Sequence, residues 1–119
     1  MIQADDRLKG IFDEAVKLAR EHHHEYITLE HLLKILVAQP EISEMMKTFP
    51  NHQYDTLVNE LDDYVQNRLN EIKTKEDVYP KRTQSTDRCV NRAFTQAIFT
   101  GHEHVNCFHI LSSMYGEKN

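Results

Sequence analysis

Glycine and proline supply only three residues each of this 119-residue chain, and cysteine only two. So few turn formers leave little punctuation for a sheet-rich fold, whose short strands need frequent reversals. Cys89 and Cys107 cannot build a disulfide framework, and the default for such a chain is a reduced, cytosolic protein. No apolar run approaches the roughly 18 residues of a membrane span. The start, Met1 to Asp6, lacks the basic opening of a signal peptide. Excess positive charge is missing too: 14 Lys and Arg stand against 19 Asp and Glu, for a net charge of −5. Neutralising a nucleic-acid backbone takes clustered Lys and Arg, so the balance argues against nucleic acid as the main partner. The length suits one domain, residues 1–119, able to bury roughly two-thirds of its unfolded surface without metal or disulfide.

What is present is helical periodicity. Leu8, Ile11, Phe12, Ala15, Leu18 and Ala19 recur at three- and four-residue spacing, behind Asp5 and Asp6 as cap and first-turn acid. His22-His23-His24-Glu25-Tyr26-Ile27 breaks that pattern. Thr28 then caps a second helix striped by Leu29, Leu32, Leu33, Leu36 and Val37, with Glu30 in its first turn. Pro40 to Lys47 suits a short third helix, Pro50-Asn51 a break, and Leu57, Leu61, Tyr64, Val65 and Leu69 a longer fourth. Thr83 or Ser85 caps a fifth helix through Cys89, Val90, Ala93, Phe94, Ala97 and Ile98, which Gly101 stops. A sixth carries Val105, Phe108, Leu111, Met114 and Tyr115 and ends at Gly116. The expected class is all-α.

Sliding the chain on itself by 78 residues aligns two helix–loop–helix units without a gap. Ala15 falls on Ala93, Ala19 on Ala97, His24 on His102, Glu25 on Glu103, His31 on His109 and Leu33 on Leu111. Two equivalent hairpins can pack about a pseudo-twofold axis and bury both stripes in one core. The expected organisation is repeat one over 1–70, a linker over 71–82, and a partial repeat two over 83–119.

The run Ala19-Arg20-Glu21-His22-His23-His24-Glu25-Tyr26-Ile27-Thr28-Leu29-Glu30-His31-Leu32-Leu33 resembles the N-terminal domain of the Clp ATPases, the Hsp100 unfoldases. It is most similar to the ClpA type, with its A-R-E-H-x-H-E-(F/Y)-x-T-x-E-H-L-L pattern. Thr83 to Ala93 is similar to the start of that domain's second repeat. The resemblance implies a double repeat of four helices each, tethered to AAA+ ATPase rings and receiving adaptors and substrates. In the ClpA type the adaptor is ClpS. Two departures stand out. No G-x-x-x-x-G-K-(S/T) occurs, so this stretch holds no P-loop ATPase. The second repeat is also expected to lack its last two helices, leaving about six and an apolar face suited to a homodimer or to repacking.

By that resemblance Glu25, Glu30 and Thr83 contribute to an adaptor-docking surface. Exposed carboxylates receive Lys, Arg or backbone donors, and a cap hydroxyl can be shared with a partner. Lys81 and Arg88 lie close by in sequence and suit acidic partner groups. The plainer reading is that Glu25 is solvated, Glu30 favours the helix dipole and Thr83 only caps. The related ClpC type holds phosphoarginine between two glutamates. Here Glu30 supplies one and Phe108 stands at the other position, so that recognition is rejected.

Eight histidines raise a metal question, with His22, His24 and His102 as the candidate ligands. Consecutive loop histidines seldom converge on one ion, and H-E-x-x-H is absent. A structural role is expected instead: His24 and His102 tying loops to backbone carbonyls, His31 and His109 bonding between helices. Cys89 and Cys107 read as buried small hydrophobes. Met45, Met46 and Phe49 read as core and hinge packing. No cofactor is implied. The expected function is a non-enzymatic module that docks a ClpS-type adaptor or protein substrates for a Clp unfoldase. Alternatives are a free-standing, phage-encoded mimic that sequesters the adaptor, and a histidine-loop metal-binding protein.

Overall fold

The computed structural model describes residues 3–48, 53–69, 72–75 and 79–115. Phe49, the Pro50-Asn51 break and the Gly116 stop lie outside them. In chain order the elements are β1 (Gln3–Ala4), α1 (Asp6–Glu21), β2 (Tyr26–Ile27), α2 (Leu29–Val37), α3 (Pro40–Lys47) and α4 (Gln53–Asp63). A π-helical turn (Tyr64–Arg68), β3 (Lys81–Arg82), α5 (Gln84–Phe99), β4 (His104–Val105) and α6 (Cys107–Tyr115) follow. The fold is all-α in character, 72% helical.

Each helix begins where local chemistry satisfies its orphan amides. Asp5 is extended and its Oδ1 accepts from the Leu8 amide at 2.8 Å, capping α1, with Asp6 in the first turn. Thr83, not Ser85, caps α5, its hydroxyl accepting from the Thr86 amide. Pro40 sits in the first turn of α3, where its missing N–H costs nothing. The fourth helix differs from expectation. It begins at Gln53, and its last turn widens into the π form at Tyr64–Arg68. Leu61, Val65 and Leu69 are all buried at four-residue steps, a spacing that drifts around an α-helix. A widened turn brings such positions back into line.

The two hairpins match at every boundary under the 78-residue shift. α1 and α5 are 16 residues each, α2 and α6 nine each. Ala15, Ala19, Ala93 and Ala97 are all fully buried, and Leu33 and Leu111 are both half-buried. Even the turn after the long helix repeats. His23 has φ 57° and Gly101 φ 78°, the left-handed residue that ends each helix. One core unites them: Leu8, Ile11, Leu32 and Leu36 from the first repeat pack with Cys89, Val90, Ala93 and Ile110 from the second. Both cysteines are buried within it, as free thiols. Met46 packs against this core, whereas Met45 is exposed. α3 and α4 lean on α2, where Tyr54 Oη donates to the Val37 carbonyl at 2.9 Å and Lys34 pairs with Asp62 at 3.1 Å.

Four two-residue strands among the described residues were not foreseen. β1 pairs with β4 and β2 with β3, both in parallel. The shift carries β1 onto β3 and β2 onto β4, so each pair is the image of the other. Each repeat places the strand before its long helix against the loop strand of the opposite repeat. Matching bonds extend both ladders: the Asp5 amide donates to the Val105 carbonyl at 2.8 Å, and the Thr83 amide to the Ile27 carbonyl at 3.1 Å. Lys81 and Arg82, within the stretch read as linker, therefore form part of the seam. No described helix is long and apolar enough to cross a membrane.

The left-handed turns yield a paired expectation. A Cβ at Gly101 meets no atom within 4 Å, so Gly101→Ala costs about 1 kcal/mol through backbone strain alone. His23→Gly relieves the same strain and raises stability by about 0.5 kcal/mol. Urea titrations of both variants check this, and a Gly101→Ala variant as stable as the parent would contradict it.

Candidate functional site: the seam between the repeats

The β2–β3 pair brings residues far apart in sequence onto one surface. Tyr26 lies opposite Lys81 and Ile27 opposite Arg82. The Lys81 amide donates to the Glu25 carbonyl at 3.0 Å. From the other side the Glu25 amide donates to the Ile72 carbonyl at 2.6 Å and the Thr74 amide to the His23 carbonyl at 2.7 Å. Glu25, Lys81 and Thr83 are thus drawn together. Glu25 and Lys81 are exposed and Thr83 is half-buried. Glu30 sits in the first turn of α2, half-buried. Arg88 is exposed on α5, one turn beyond Thr83, where its Nη2 donates to Ser85 Oγ at 3.1 Å.

The Thr83 hydroxyl has little capacity left. Thr86 Oγ1 donates to the Ile27 carbonyl at 3.0 Å, so in the 2.8 Å contact between the two hydroxyls Thr83 is the donor. With one lone pair also taking the Thr86 amide, Thr83 can only accept from a partner. Thr86, fully buried, stands where the first repeat has fully buried Leu8. Its role in bonding α5 to β2 was not evident from sequence, because a lone threonine on a helix face carries no signal of its remote acceptor.

Beneath the seam two histidines hold the loop. The Thr28 amide donates to His31 Nδ1 at 2.8 Å, and His31 Nε2 lies 2.8 Å from His24 Nδ1. Accepting at Nδ1 leaves the His31 hydrogen on Nε2, which donates to His24 Nδ1. The His24 hydrogen is then on Nε2, a buried atom with no partner among the described residues. The loop from Glu25 to Thr28 is closed between these two rings. The second repeat copies this clasp. The Asn106 amide donates to His109 Nδ1 at 2.9 Å, the His109 amide to Asn106 Oδ1 at 3.2 Å, and the His102 and His109 rings meet at 4.7 Å.

These positions correct two expectations. His31 and His109 close the caps of their own helices rather than bonding between helices. His24 binds the His31 ring rather than a backbone carbonyl. Thr28 and His31 form a capping box, in which histidine replaces the usual Glu or Gln at the third position. The tautomer of His24 also bears on metal binding, since a protonated Nε2 and an occupied Nδ1 offer no lone pair to an ion. His22 stacks on His24 with ring centroids 5.5 Å apart, while His102 belongs to the other loop. Among the described residues no three His, Cys, Asp or Glu side chains are grouped to hold a metal.

The model of the Clp repeat (R) N-terminal domain matches residues 3–119. The chain belongs to this Clp N-terminal domain family. A ClpA homolog protein of Fuscovulum blasticum is 28% identical over 114 residues, covering 93% of this chain, which spans 14% of that relative's length. The Hsp104 N-terminal domain of Candida albicans superposes with a TM-score of 0.79 at 13% identity, over 98% of this chain and 75% of that one. The N-domain of ClpV from Vibrio cholerae gives 0.74 at 17% identity, over 92% and 64%. A structure from investigations of a malarial protein secretion system gives 0.79 at 16%, over 97% and 78%. Clp N-terminal domains are non-catalytic protein-interaction modules of Clp ATPases. The exposed seam of the present Clp domain is consistent with that class.

The clasp makes stability depend on acid. Burial, then the charges of His24, His22 and Lys34, push His31 down from 6.5 to about 3. Burial, then His22 and Lys73, push His24 down to about 4. Burial and then His102 lower His109, with Asp5 opposing. In each case the unfolded chain binds more protons, so stability is full above about pH 6.5 and is lost as pH falls toward the folded values. Between pH 7 and pH 5 His31 alone removes about 2 kcal/mol. Melting curves across that range check the sign, and a flat Tm would contradict it.

Proposed function

We propose that this Clp N-terminal domain recruits proteins to a Clp-type ATPase by docking a ClpS-type adaptor on the seam. The observation that carries the reading is the β2–β3 pair. It sets the exposed acid of Glu25 beside the exposed cation of Lys81, with Arg88 one helical turn beyond. Alternating charges on a rigid backbone ladder favour a folded partner with the inverse pattern, because like charges misplaced across an interface are costly. Glu30 extends the acidic side, and the accepting lone pair of Thr83 takes a donor from the partner. Tethering the captured protein near an unfoldase raises its local concentration, and no chemistry by this domain is needed. A cytoplasmic location goes with this role. The same seam would serve a free-standing mimic that titrates the adaptor.

A second reading concerns protein substrates and rests on the unlike faces of the two repeats. Where the first repeat has Arg20, Glu21 and Glu30, the second has Ile98, Phe99 and Phe108, which are 58%, 84% and 42% exposed. Phe99 and Phe108 line a shallow depression with Gln96, Thr100, Asn106 and Ser112 and the His102 and His109 rings, with no Asp, Glu, Lys or Arg among them. A largely apolar surface of this kind, without carboxylates, lysines or arginines, suits an unfolded client segment, or a second copy of the chain.

Calorimetric titration with a purified ClpS-type adaptor tests the first reading. Glu25→Lys is expected to weaken binding about tenfold, or about 1.4 kcal/mol, without moving the melting curve. Absence of any heat with the parent chain would sink the adaptor reading. Sedimentation separates the remaining two: a Phe99→Ser change that abolishes self-association assigns the apolar face to the second copy.

A further inference from the structure

Directly beside the seam lies a cavity of about 190 Å³. Phe12 and Val16 of α1, Ile27 of β2 and Leu32 of α2 form its apolar walls, and Tyr79 and Pro80 close it on the way into β3. Tyr79 is 71% exposed, an aromatic ring standing at the mouth. Two charged residues complete the rim, Asp13 and Arg82. Arg82 is already engaged. Its guanidinium lies 5.6 Å from the centre of the Phe12 ring and its Nε 3.6 Å from an Asp87 carboxylate oxygen. Asp13 is exposed and forms no ion pair with a described residue.

The double repeat provides an internal control. The shift places Val90 at the position of Phe12, Asn91 at Asp13 and Ala4 at Arg82. Val90 and Ala4 are buried in the core, whereas Phe12 is only partly buried and Arg82 is exposed. The image of the cavity therefore carries neither rim charge. The charged rim is a property of this sequence on one side of the axis, not of the fold as such.

We infer that this cavity is the anchor subsite of the docking surface, taking one large apolar side chain from the adaptor with a Lys or Arg of the same segment set against Asp13. The volume is too small for a typical ligand pocket, which runs from about 300 Å³ upward, and suits a single aromatic or branched side chain. Binding energy at protein interfaces concentrates in such filled pockets, with charged rims supplying orientation. Charge complementarity selects the neighbour. Arg82 is held by Asp87, so the carboxylate left to be matched is Asp13, and its match is a cation. The inference rests on the adaptor reading above and adds the residues that decide affinity within it.

The experiment titrates the purified ClpS-type adaptor against the parent chain, Val16→Trp, Asp13→Lys and Glu25→Lys, with a melting curve for each. Val16→Trp fills the cavity from its wall and is expected to weaken binding at least about tenfold. Asp13→Lys alters only an exposed charge and is expected to weaken it about fivefold while folding as the parent does. Parental affinity in Asp13→Lys and in folded Val16→Trp, with Glu25→Lys still impaired, overturns the anchor subsite and leaves the docking reading standing. Failure of the parent chain to bind overturns both. Should Val16→Trp not fold, the Asp13→Lys result decides alone.

Discussion

Everything that positions the exposed seam depends on the reciprocal pairing of two short parallel ladders across the pseudo-twofold axis. Each ladder is only two residues long, far below what a strand pair needs to be stable alone. Their hydrogen bonds are worth about 1 kcal/mol apiece and do not hold the repeats together. That is done by the shared apolar core, where Leu8, Ile11, Leu36, Ala93 and Ile110 are fully excluded from water or nearly so. What the ladders supply is register. Asp5 and Thr83 each donate a backbone amide to the opposite repeat while their side chains cap α1 and α5. Helix start, strand pairing and the relation of the repeats are set by the same two residues.

The histidine clasps serve the same end from beneath. The loop that carries exposed Glu25 and pairs through Tyr26 and Ile27 is pinned at one end by His24 and at the other by Thr28 and His31. Neutral imidazole is well suited to this, accepting an amide hydrogen at one nitrogen and donating from the other. The arrangement requires both rings to stay uncharged, which is why burial and acid sensitivity go together. Upon this common frame the repeats diverge in the core at a few positions, such as Leu8 against Thr86, and in charge where they meet solvent. Charged residues of the first become Ile98, Phe99 and Phe108 in the second, and Phe12 with Arg82 replaces buried Val90 with Ala4.

Much of the frame was legible in the residues. Asp5, Thr28 and Thr83 as caps, Pro40 in a first turn, and the spacing of Leu8, Ile11, Ala15 and Ala19 are local features. Helix formation responds to them within a few residues. The offset between Ala15 and Ala93 exposed the repeat for the same reason, since equivalent burial demands equivalent side chains. The strands were not legible. Lys81 and Arg82 have no alternation, no β-branched residue and charge at both positions, so nothing in them announces pairing. The role of His31 was hidden because capping boxes are recognised by Glu or Gln. The π turn was hidden because it answers to the burial of Val65 and Leu69 together.

Sequence alone therefore determined the helices, their caps, the duplication and the acidic balance of the domain, all consequences of short-range periodicity and composition. Tertiary structure decided that Glu25 and Lys81 are neighbours, that His24 and His31 share a hydrogen, and that a cavity opens beside Asp13 on one side of the axis. The first and the last depend on the relative placement of segments more than fifty residues apart, and the histidine contact on a loop folded back onto the helix that follows it. That placement is fixed by the packing of one core and the register of two ladders, and neither leaves a mark on any local stretch of the chain.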